Sequence, residues 1–222
     1  MARRITSVKV ETVKRLSEVL GIEGDTVTKA RVTYLEYNAI TTAGDESHRR
    51  HKPIEGKTYT LQMVNGELLV TDAAGAAPPA REAELVASEH RHFGAKPPLL
   101  AALPSNPVRI GDSLPELAEG IVNALYAQTA HEMTVSSSEI VVKSVTVDTV
   151  TFDVTLTLER SVPPQFTMTL NLAGSLAVRV ADGKLMELVL AGPLETASPE
   201  ADPSTPTSGT LSATVSASYG HR

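Results

Sequence analysis

Residues 56–72 read GKTYTLQMVNGELLVTD, and residues 174–190 repeat the same pattern as GSLAVRVADGKLMELVL. In both stretches a run of alternating apolar residues leads into Asn65-Gly66 or Asp182-Gly183, and a second apolar run comes after the turn. Asn-Gly and Asp-Gly tolerate the positive φ angles that a two-residue hairpin turn requires. Each stretch therefore predicts two antiparallel strands, with the turn fixing the register of the pair.

The sequence on either side of these hairpins also predicts strands. Ile5–Leu20 fits both strand alternation and a helical period, and we interpret it as a strand because a turn and a strand-like segment come after it. Gly21–Asp25 is typical of a turn, and Val27–Tyr37 is rich in Thr, Val and Tyr, as a partner strand would be. Beyond Met133 the pattern predicts further strands at Glu139–Val147, Val150–Glu159, Gln165–Leu172 and Thr210–Ser218.

Two polar segments are predicted to lie between these strands as irregular structure. Thr41–Pro53 carries the run His48–Lys52, which is typical of a solvated loop or a hairpin tip. Glu195–Ser208 is dense in Pro, Ser, Thr and Glu, and this composition predicts a long mobile loop.

Two principal helices are predicted, near residues 80–93 and 114–128. The first has apolar residues on one stripe and Gly94 placed to end it. The second begins at Ser113-Leu114-Pro115-Glu116, which has the Ser-x-x-Glu form of a capping box. Its apolar residues fall on roughly one face, which predicts a helix that packs on a core.

The predicted fold class is therefore α+β, predominantly antiparallel β, with two β-rich halves built as curved sheets or half-barrels. Residues 1–95 would form an N-terminal β-rich half that ends in a helix. Residues 96–112 would form a Pro-rich joint, and residues 113–222 a helix plus an antiparallel β half. One integrated domain is the alternative.

Composition excludes several classes of function. The 222 residues carry a formal net charge of −6 and only eight aromatic side chains, five Tyr and three Phe, which disfavours nucleic-acid binding. Cysteine is absent, so a disulfide framework, a thiol nucleophile and a thiolate metal site are excluded. No stretch approaches the roughly 20 apolar residues of a membrane span. Met1–Arg4 is charged like the start of a signal peptide, but Ile5–Lys9 is not an apolar core, so we expect no export leader in this sequence.

Ser113 is the one candidate nucleophile. Gly111-Asp112-Ser113-Leu114 has the letters of the signature block of a large class of serine esterases. In that class the partner His comes after an Asp near the C-terminus, whereas His221 here comes after Ser-Tyr-Gly. A serine without an orienting base is inert at neutral pH. We therefore interpret the block as a turn into the second helix, with Ser113 as its N-cap.

Histidines are the candidate metal ligands, in the pairs His48 with His51 and His90 with His92. Helical residues two apart point in different directions, and zinc sites need further ligands. A basic loop and a solvated helix end are the simpler interpretations, so we expect no metal, no cofactor and no catalytic residue.

The remaining charged motifs are interpreted as surface features. The run His48–Lys52 could recognise an acidic partner or anionic headgroups, but the negative net charge favours a solvated loop. The carboxylate pairs Asp45 with Glu46 and Glu82 with Glu84 lie in polar stretches, where we expect ordinary pKa values.

Four stretches give the chain a resemblance to a group of uncharacterised bacterial envelope proteins, many of them predicted lipoproteins. The stretches are Pro53–Tyr59, Leu69–Asp72, Asn106–Ser113 and Gly174–Gly183. The resemblance implies an exported β-rich module, such as a curved sheet around a helix, and a place in the cell envelope or periplasm. It transfers no activity to any residue. Because the sequence shows neither a leader nor a lipid-bearing Cys, a cytoplasmic location is the alternative.

Three functions are compatible with these observations. The first is a non-enzymatic envelope-type module that binds a protein partner or an apolar ligand. The second is a structural component of a larger assembly, with edge strands or the Glu195–Ser208 loop making the contacts. The third is a serine hydrolase that uses Ser113. An apolar cavity would favour the first function, a broad apolar surface patch the second, and a histidine beside Ser113 the third.

Overall fold

The computed structural model describes residues 7–24, 26–43, 45–125, 133–162, 166–197 and 207–220. The chain divides into two compact units, Met1–Lys96 and Pro97–Arg222. Each unit contains one five-stranded antiparallel sheet with its own apolar core. The predicted fold class, α+β with mostly antiparallel strands in two β-rich halves, is confirmed. The assignment of residues 96–112 as a joint stays a prediction.

The first unit contains five strands and one helix among its described residues. They are β1 (Ser7–Glu23), β2 (Thr26–Ala43), β3 (Glu46–His51), β4 (Thr58–Val64), β5 (Glu67–Asp72) and α1 (Ala80–Glu89). The sheet order is β1-β2-β4-β5, and β3 also pairs with β2. The 18 residues of β2 organise the sheet, because β1 pairs along one side while β4 and β3 share the other.

The core of the first unit is rich in tyrosine. Its buried members, on β2, β4, β5, α1 and the turn before β4, are Val32, Tyr34, Tyr37, Ile54, Tyr59, Leu61, Val70 and Val86. Tyrosine buries a large apolar ring and also needs a partner for its hydroxyl. This core therefore has to contain polar partners as well as apolar ones.

The second unit contains five strands and two helices among its described residues. They are α2 (Pro98–Ala102), α3 (Leu117–Leu125), β6 (Thr134–Val145), β7 (Thr149–Val162), β8 (Phe166–Arg179), β9 (Leu185–Ala197) and β10 (Thr207–Ser216). The strands form a simple meander in the order β10-β9-β8-β7-β6. Alternate residues such as Phe152, Leu156 and Leu172 pack against Leu117 and Ile121 of α3. The predicted core-packing helix is thus confirmed, and α2 is a short helix that the sequence pattern did not indicate.

The two repeated stretches are both hairpins, but their turns differ. Asn65 and Gly66 have φ angles of 52° and 84°, as a two-residue type I′ turn requires, so that prediction is confirmed. In the second hairpin β8 ends at Arg179 and β9 begins at Leu185, which leaves a longer loop. Of its two predicted turn residues only Gly183 has a positive φ, so the two-residue turn predicted at Asp182-Gly183 is wrong.

A side-chain interaction explains this longer loop. Asp182 accepts two hydrogen bonds from the guanidinium of Arg179, at 2.8 and 2.7 Å, and its Oδ2 lies 3.0 Å from Lys184 Nζ. These interactions, led by the Arg179 hydrogen bond, hold the pKa of Asp182 below its usual range. Gly183 suits this loop because its φ of 64° is one that residues with a Cβ rarely adopt. A Cβ there would also lie 2.6 Å from Leu100 Cδ1 and 2.7 Å from Leu103 Cδ1, so both leucine side chains would have to move.

Two predicted loops are partly strand. Within Thr41–Pro53, residues 46–51 form the exposed strand β3, which pairs with β2. The segment thus belongs to a hairpin, but His48–His51 lies on its strand and neither at its tip nor in an irregular loop. Within Glu195–Ser208, β9 extends to Ala197 and β10 begins at Thr207. The rest of that predicted mobile loop lies outside the described residues.

The predicted N-cap at Ser113 is wrong. Helix α3 begins at Leu117, four residues further on, and the N–H groups of Leu117 and Ala118 donate to the carbonyls of Leu114 and Pro115. Ser113 itself lies in an isolated antiparallel bridge with Val141 of β6. Pairing with β6 therefore holds Ser113 in extended backbone, at the position where the capping-box pattern predicted the start of a helix.

Candidate functional site

The most unusual surface of the first unit is the outer side of β1. This strand ends the sheet, so β2 is its only neighbour among the described residues. Its pairing with β2 has register shifts at Lys14/Arg15, Val19/Gly21 and Gly21/Ile22. Such irregularities twist an edge away from pairing with another chain. Residues Ser7–Lys14 lie before the first shift and form a regular edge with no described strand on its outer side, which we call the free edge.

Apolar side chains are concentrated on this strand. Among the described residues, fifteen large apolar side chains are exposed, and seven of them belong to β1: Val8, Val10, Val13, Leu16, Val19, Leu20 and Ile22. In the free edge, Val8 is 55% exposed, Val10 51% and Val13 42%. Scattered exposed apolar residues are ordinary, but a series along one edge strand is a typical mark of a binding or aggregation surface.

The two faces of the free edge differ in chemistry. Lys9 and Glu11 lie on one face, where Lys9 Nζ and Glu11 Oε2 are 3.4 Å apart. Val8 and Val10 lie on the other face, directly beside their β2 partners Thr42 and Ile40. Val13 shares the face of Lys9 and Glu11, and Lys14 shares the face of Val8 and Val10. The free edge therefore offers one face with a charged pair, one face with two valines and a row of backbone groups.

Strand addition is the binding mode that uses all three. An edge strand has N–H and C=O groups with no ladder partner, and an extended segment of another chain can bind them. The alternating side chains then determine which segment fits. Burying Val8 and Val10 in such a contact would also remove apolar surface from water.

A polar cluster attaches β1 and β2 to helix α1 just beyond the free edge. Tyr37 OH donates to Glu89 Oε1 at 2.6 Å, and Arg15 Nη1 donates to Glu89 Oε2 at 3.5 Å. Arg15 is the first residue after the register shift at Lys14. The free edge thus ends where the sheet becomes fixed to the helix.

Glu82 forms the second attachment to this helix. Its Oε2 accepts a 2.6 Å hydrogen bond from Tyr59 OH, and its Oε1 accepts one of 2.6 Å from Lys57 Nζ. The hydrogen bond from Lys57, with that from Tyr59 next, lowers the pKa of Glu82. Burial raises the pKa of Tyr59, so its hydroxyl stays a neutral donor.

His90, directly after α1, completes the cluster. Its Nε2 lies 3.1 Å from Tyr34 OH, and the two rings meet edge to face with centroids 6.4 Å apart. Burial, and secondly the charge of Arg15, lowers the pKa of His90 to about 3. Burial also raises the pKa of Tyr34. An imidazole that stays neutral next to a neutral phenol is a structural pair at ordinary pH.

Two surface predictions are therefore wrong. Glu82, expected on a polar surface with an ordinary pKa, is only 9% exposed and has a lowered pKa. His90, expected at a solvated helix end, is partly buried against Tyr34. Both burials depend on tyrosines of distant strands, which α1's own sequence pattern does not contain.

The other candidate residues are not brought together into one site. His48 and His51 lie exposed on β3, where they contact Glu46 and Glu55. Arg91 Nε donates to His92 at 3.0 Å. Within the described ranges there is no group of three or more His, Asp and Glu that could hold a metal ion.

The Gly-Asp-Ser-Leu block forms a turn and an edge contact. Asp112 Oδ2 accepts the N–H of Arg109 at 2.7 Å, and the exposed Ser113 continues from it into the bridge with Val141. The histidines of this unit, His131 and His221, lie outside the described residues. The turn predicted from this block is thus present, although it does not lead directly into the helix.

Comparison of the chain with protein-family models, curated proteins and solved structures found no match. In the part of the chain that the structure describes, no helix combines the length and apolar character needed to cross a bilayer.

Proposed function

We propose that this protein is a non-enzymatic module that binds a protein partner, and that it does so by strand addition at the free edge Ser7–Lys14. The observation that carries the proposal is the exposed apolar series on β1, an edge strand whose single neighbour among the described residues is β2. A place in the cell envelope, which the sequence resemblance implies, belongs to the same proposal.

The alternative of an apolar ligand has less support. In the second unit the apolar side of the sheet packs on the chain's own helix, where Leu117, Ile121 and Leu156 are each 0% exposed. In the first unit the corresponding side holds the tyrosine core and α1. The exposed apolar surface instead runs along an extended backbone edge, and an extended peptide fits this shape better than a lipid does.

Catalysis also has less support than binding. The polar groups with shifted pKa values, Glu82 and His90, donate to or accept from side chains of their own unit. The Glu82 carboxylate and the His90 imidazole are thus occupied by contacts within the protein, whereas a catalytic site would direct such groups toward a substrate. A role as a component of a larger assembly is compatible with the proposal, since it would use the same edge.

Site-specific photo-crosslinking in cells of the natural source tests the proposal. A photoreactive amino acid replaces Val10 in one variant and Thr155 in the control. Thr155 is also exposed, but it lies on β7, which is paired on both sides. We expect a discrete crosslinked protein from position 10 that weakens strongly when Val8→Lys is added. Equal crosslinking from both positions, or none from position 10, would contradict strand addition at the free edge.

A further inference from the structure

We propose that the segment bound at the free edge is the free edge of a second copy of this chain, paired antiparallel about a two-fold axis at Val10. This inference rests on the proposed function, since it requires the free edge to be a binding surface. It adds the identity of the partner and the register of the pairing.

Symmetry restricts how two such edges can pair. When identical edge strands extend one continuous sheet, the two-fold axis runs perpendicular to the sheet and one residue faces its own copy. A pairing centred on Val10 joins Ser7–Val13 of the two chains. Val10 faces Val10, Lys9 faces Glu11 of the second copy, and Glu11 faces its Lys9. Opposite residues of an antiparallel pair have Cβ atoms about 4.5–5.5 Å apart, so these charges come within contact.

The charges select this register over its neighbours. A pairing centred on Lys9 or on Glu11 would place that residue opposite its own copy, and like charges directly opposite are destabilising. A pairing centred on Thr12 would place Lys9 opposite Arg15. A pairing centred on Val13 would have to continue across the register shift at Lys14/Arg15, where Arg15 already donates to Glu89. The Val10 register gives both charged residues a partner of opposite sign.

The apolar face fits the same register. Val8 faces Thr12 of the second copy, so Val8, Val10 and Thr12 of both chains form one continuous strip. The strip extends onto β2 through Ile40 and Thr42, the partners of Val10 and Val8. The two half-exposed valines of each chain would gain apolar neighbours from the second copy along their flanks. The contact is short, so we expect a dimer whose population rises with protein concentration.

Charge reversal tests the register through sedimentation equilibrium. The wild-type mass should rise from 23.5 kDa toward about twice that value as the concentration increases. Lys9→Glu places Glu opposite Glu, and Glu11→Lys places Lys opposite Lys. Each variant alone should therefore dimerise at least about tenfold more weakly. The double variant, with both charges exchanged, should dimerise like the wild type.

Mixing the two single variants gives the decisive result. In a mixed pair each Glu of the Lys9→Glu chain faces a Lys of the Glu11→Lys chain, so an equimolar mixture should form heterodimers although each variant alone does not. Loss of stability in either variant cannot explain this rescue, because mixing two destabilised chains does not refold them. A mixture that stays monomeric would overturn the proposed register.

Cysteine crosslinking supplies an independent measurement, since the chain has no Cys of its own. Val10→Cys should form a disulfide-linked dimer quickly under a mild oxidant, because position 10 faces itself. Val8→Cys should not, because four residues separate the two copies of position 8 along the strands, or about 13 Å, beyond disulfide reach. Equal crosslinking of both variants would contradict the register.

The failure of this inference and of the proposed function are distinguishable. If the wild type stays monomeric at all concentrations but Val10 crosslinks to a different protein in cells, self-pairing is wrong and strand addition stands. If neither occurs, both are wrong.

Discussion

The two sheets treat corresponding edges in opposite ways. The edge of the second sheet at β6 is covered by the segment Gly111–Leu114. The N–H groups of Gly111 and Leu114 donate to Val142 and Ile140, and the N–H of Val142 donates to Asp112. The edge of the first sheet at β1 has no such cover among the described residues. β3, β5 and β10 also have a single neighbouring strand among the described residues, so β1 is distinguished not by an open edge alone but by the exposed apolar side chains that it carries.

The side chains show the same contrast. Ile140 and Val142 of β6 are 0% and 1% exposed, whereas no residue of β1 is fully buried. The β6 edge is closed and helps to enclose a core. Within the described ranges the β1 edge has no such cover, and its apolar side chains are exposed.

The largest effect should come from truncating a buried valine or isoleucine on the closed edge. Ile140→Ala should reduce the free energy of unfolding by about 2–5 kcal/mol, because it leaves a cavity in the second core. Val10→Ala on the open edge should change it by less than about 0.5 kcal/mol in dilute solution. Urea unfolding followed by circular dichroism measures both. Similar losses at the two positions would mean that β1 is covered in the free protein.

Acid should weaken the polar core of the first unit. His90 has a pKa of about 3 in the fold and about 6.5 in the unfolded chain, so only the unfolded chain binds a proton between these values. Stability from the neutral His90 is complete above about pH 6.5 and is lost as the pH falls, by up to about 1.4 kcal/mol per pH unit. Below about pH 4.5, protonation of Glu82 adds a further loss, because its folded pKa is lowered.

Tyrosine fluorescence can track this loss, because Tyr34, Tyr37 and Tyr59 are three of the chain's five tyrosines and the chain has no Trp. His90→Gln stays neutral at every pH, so it should flatten the dependence between about pH 6.5 and 4.5. An unchanged slope in this variant would show that another group is responsible.

A smaller effect is expected where the closing segment turns. Asp112→Ala removes the acceptor for the Arg109 N–H and should cost about 1 kcal/mol of stability. Loosening this turn should also expose the β6 edge, so amide hydrogen exchange at Ile140 and Val142 should become faster. If the Ile140 and Val142 amides of the variant exchange as slowly as in the wild type, the bridge between Ser113 and Val141 covers the β6 edge without help from the turn.

The smallest effect is expected at Ser113. Its backbone, not its hydroxyl, belongs to the bridge with Val141, and the helix begins four residues later. Ser113→Ala should therefore change the midpoint of thermal unfolding by no more than an ordinary surface substitution, within about 0.5 kcal/mol. A loss near 1 kcal/mol, the usual cost of removing an N-cap, would restore the capping interpretation.

Most of the fold is predictable from the sequence because strand alternation is a local signal. The period of Ile5–Leu20 also fits a helix, and the turn and the Thr-, Val- and Tyr-rich segment that come after it decide for the strand observed at Ser7–Glu23. The helix at Ala80–Glu89 ends shortly before the predicted stop at Gly94. The Asn65-Gly66 turn is equally local. Its counterpart at Asp182 is not, because a salt bridge to Arg179 determines that loop.

The candidate site is less predictable, because it depends on β1 having a neighbouring strand on one side and no described strand on the other. Alternation in Ser7–Lys14 indicates a strand, but it does not show whether one or two strands lie beside it. Ser113 shows the same limit, since pairing with Val141 overrides a local capping pattern. The burial of Glu82 depends on Lys57 and Tyr59, which are 25 and 23 residues away in sequence.

Amide hydrogen exchange of the two edges, measured by mass spectrometry over a series of protein concentrations, tests the central claim most directly. In dilute protein the peptide covering Ser7–Lys14 should exchange quickly at its outward-facing amides, while the peptide covering β6 should be protected. As the concentration rises, protection should appear in Ser7–Lys14 and leave β6 unchanged. Exchange in Ser7–Lys14 that is slow at every concentration, or fast at every concentration and in the presence of cell extract, would contradict an open edge that binds a strand.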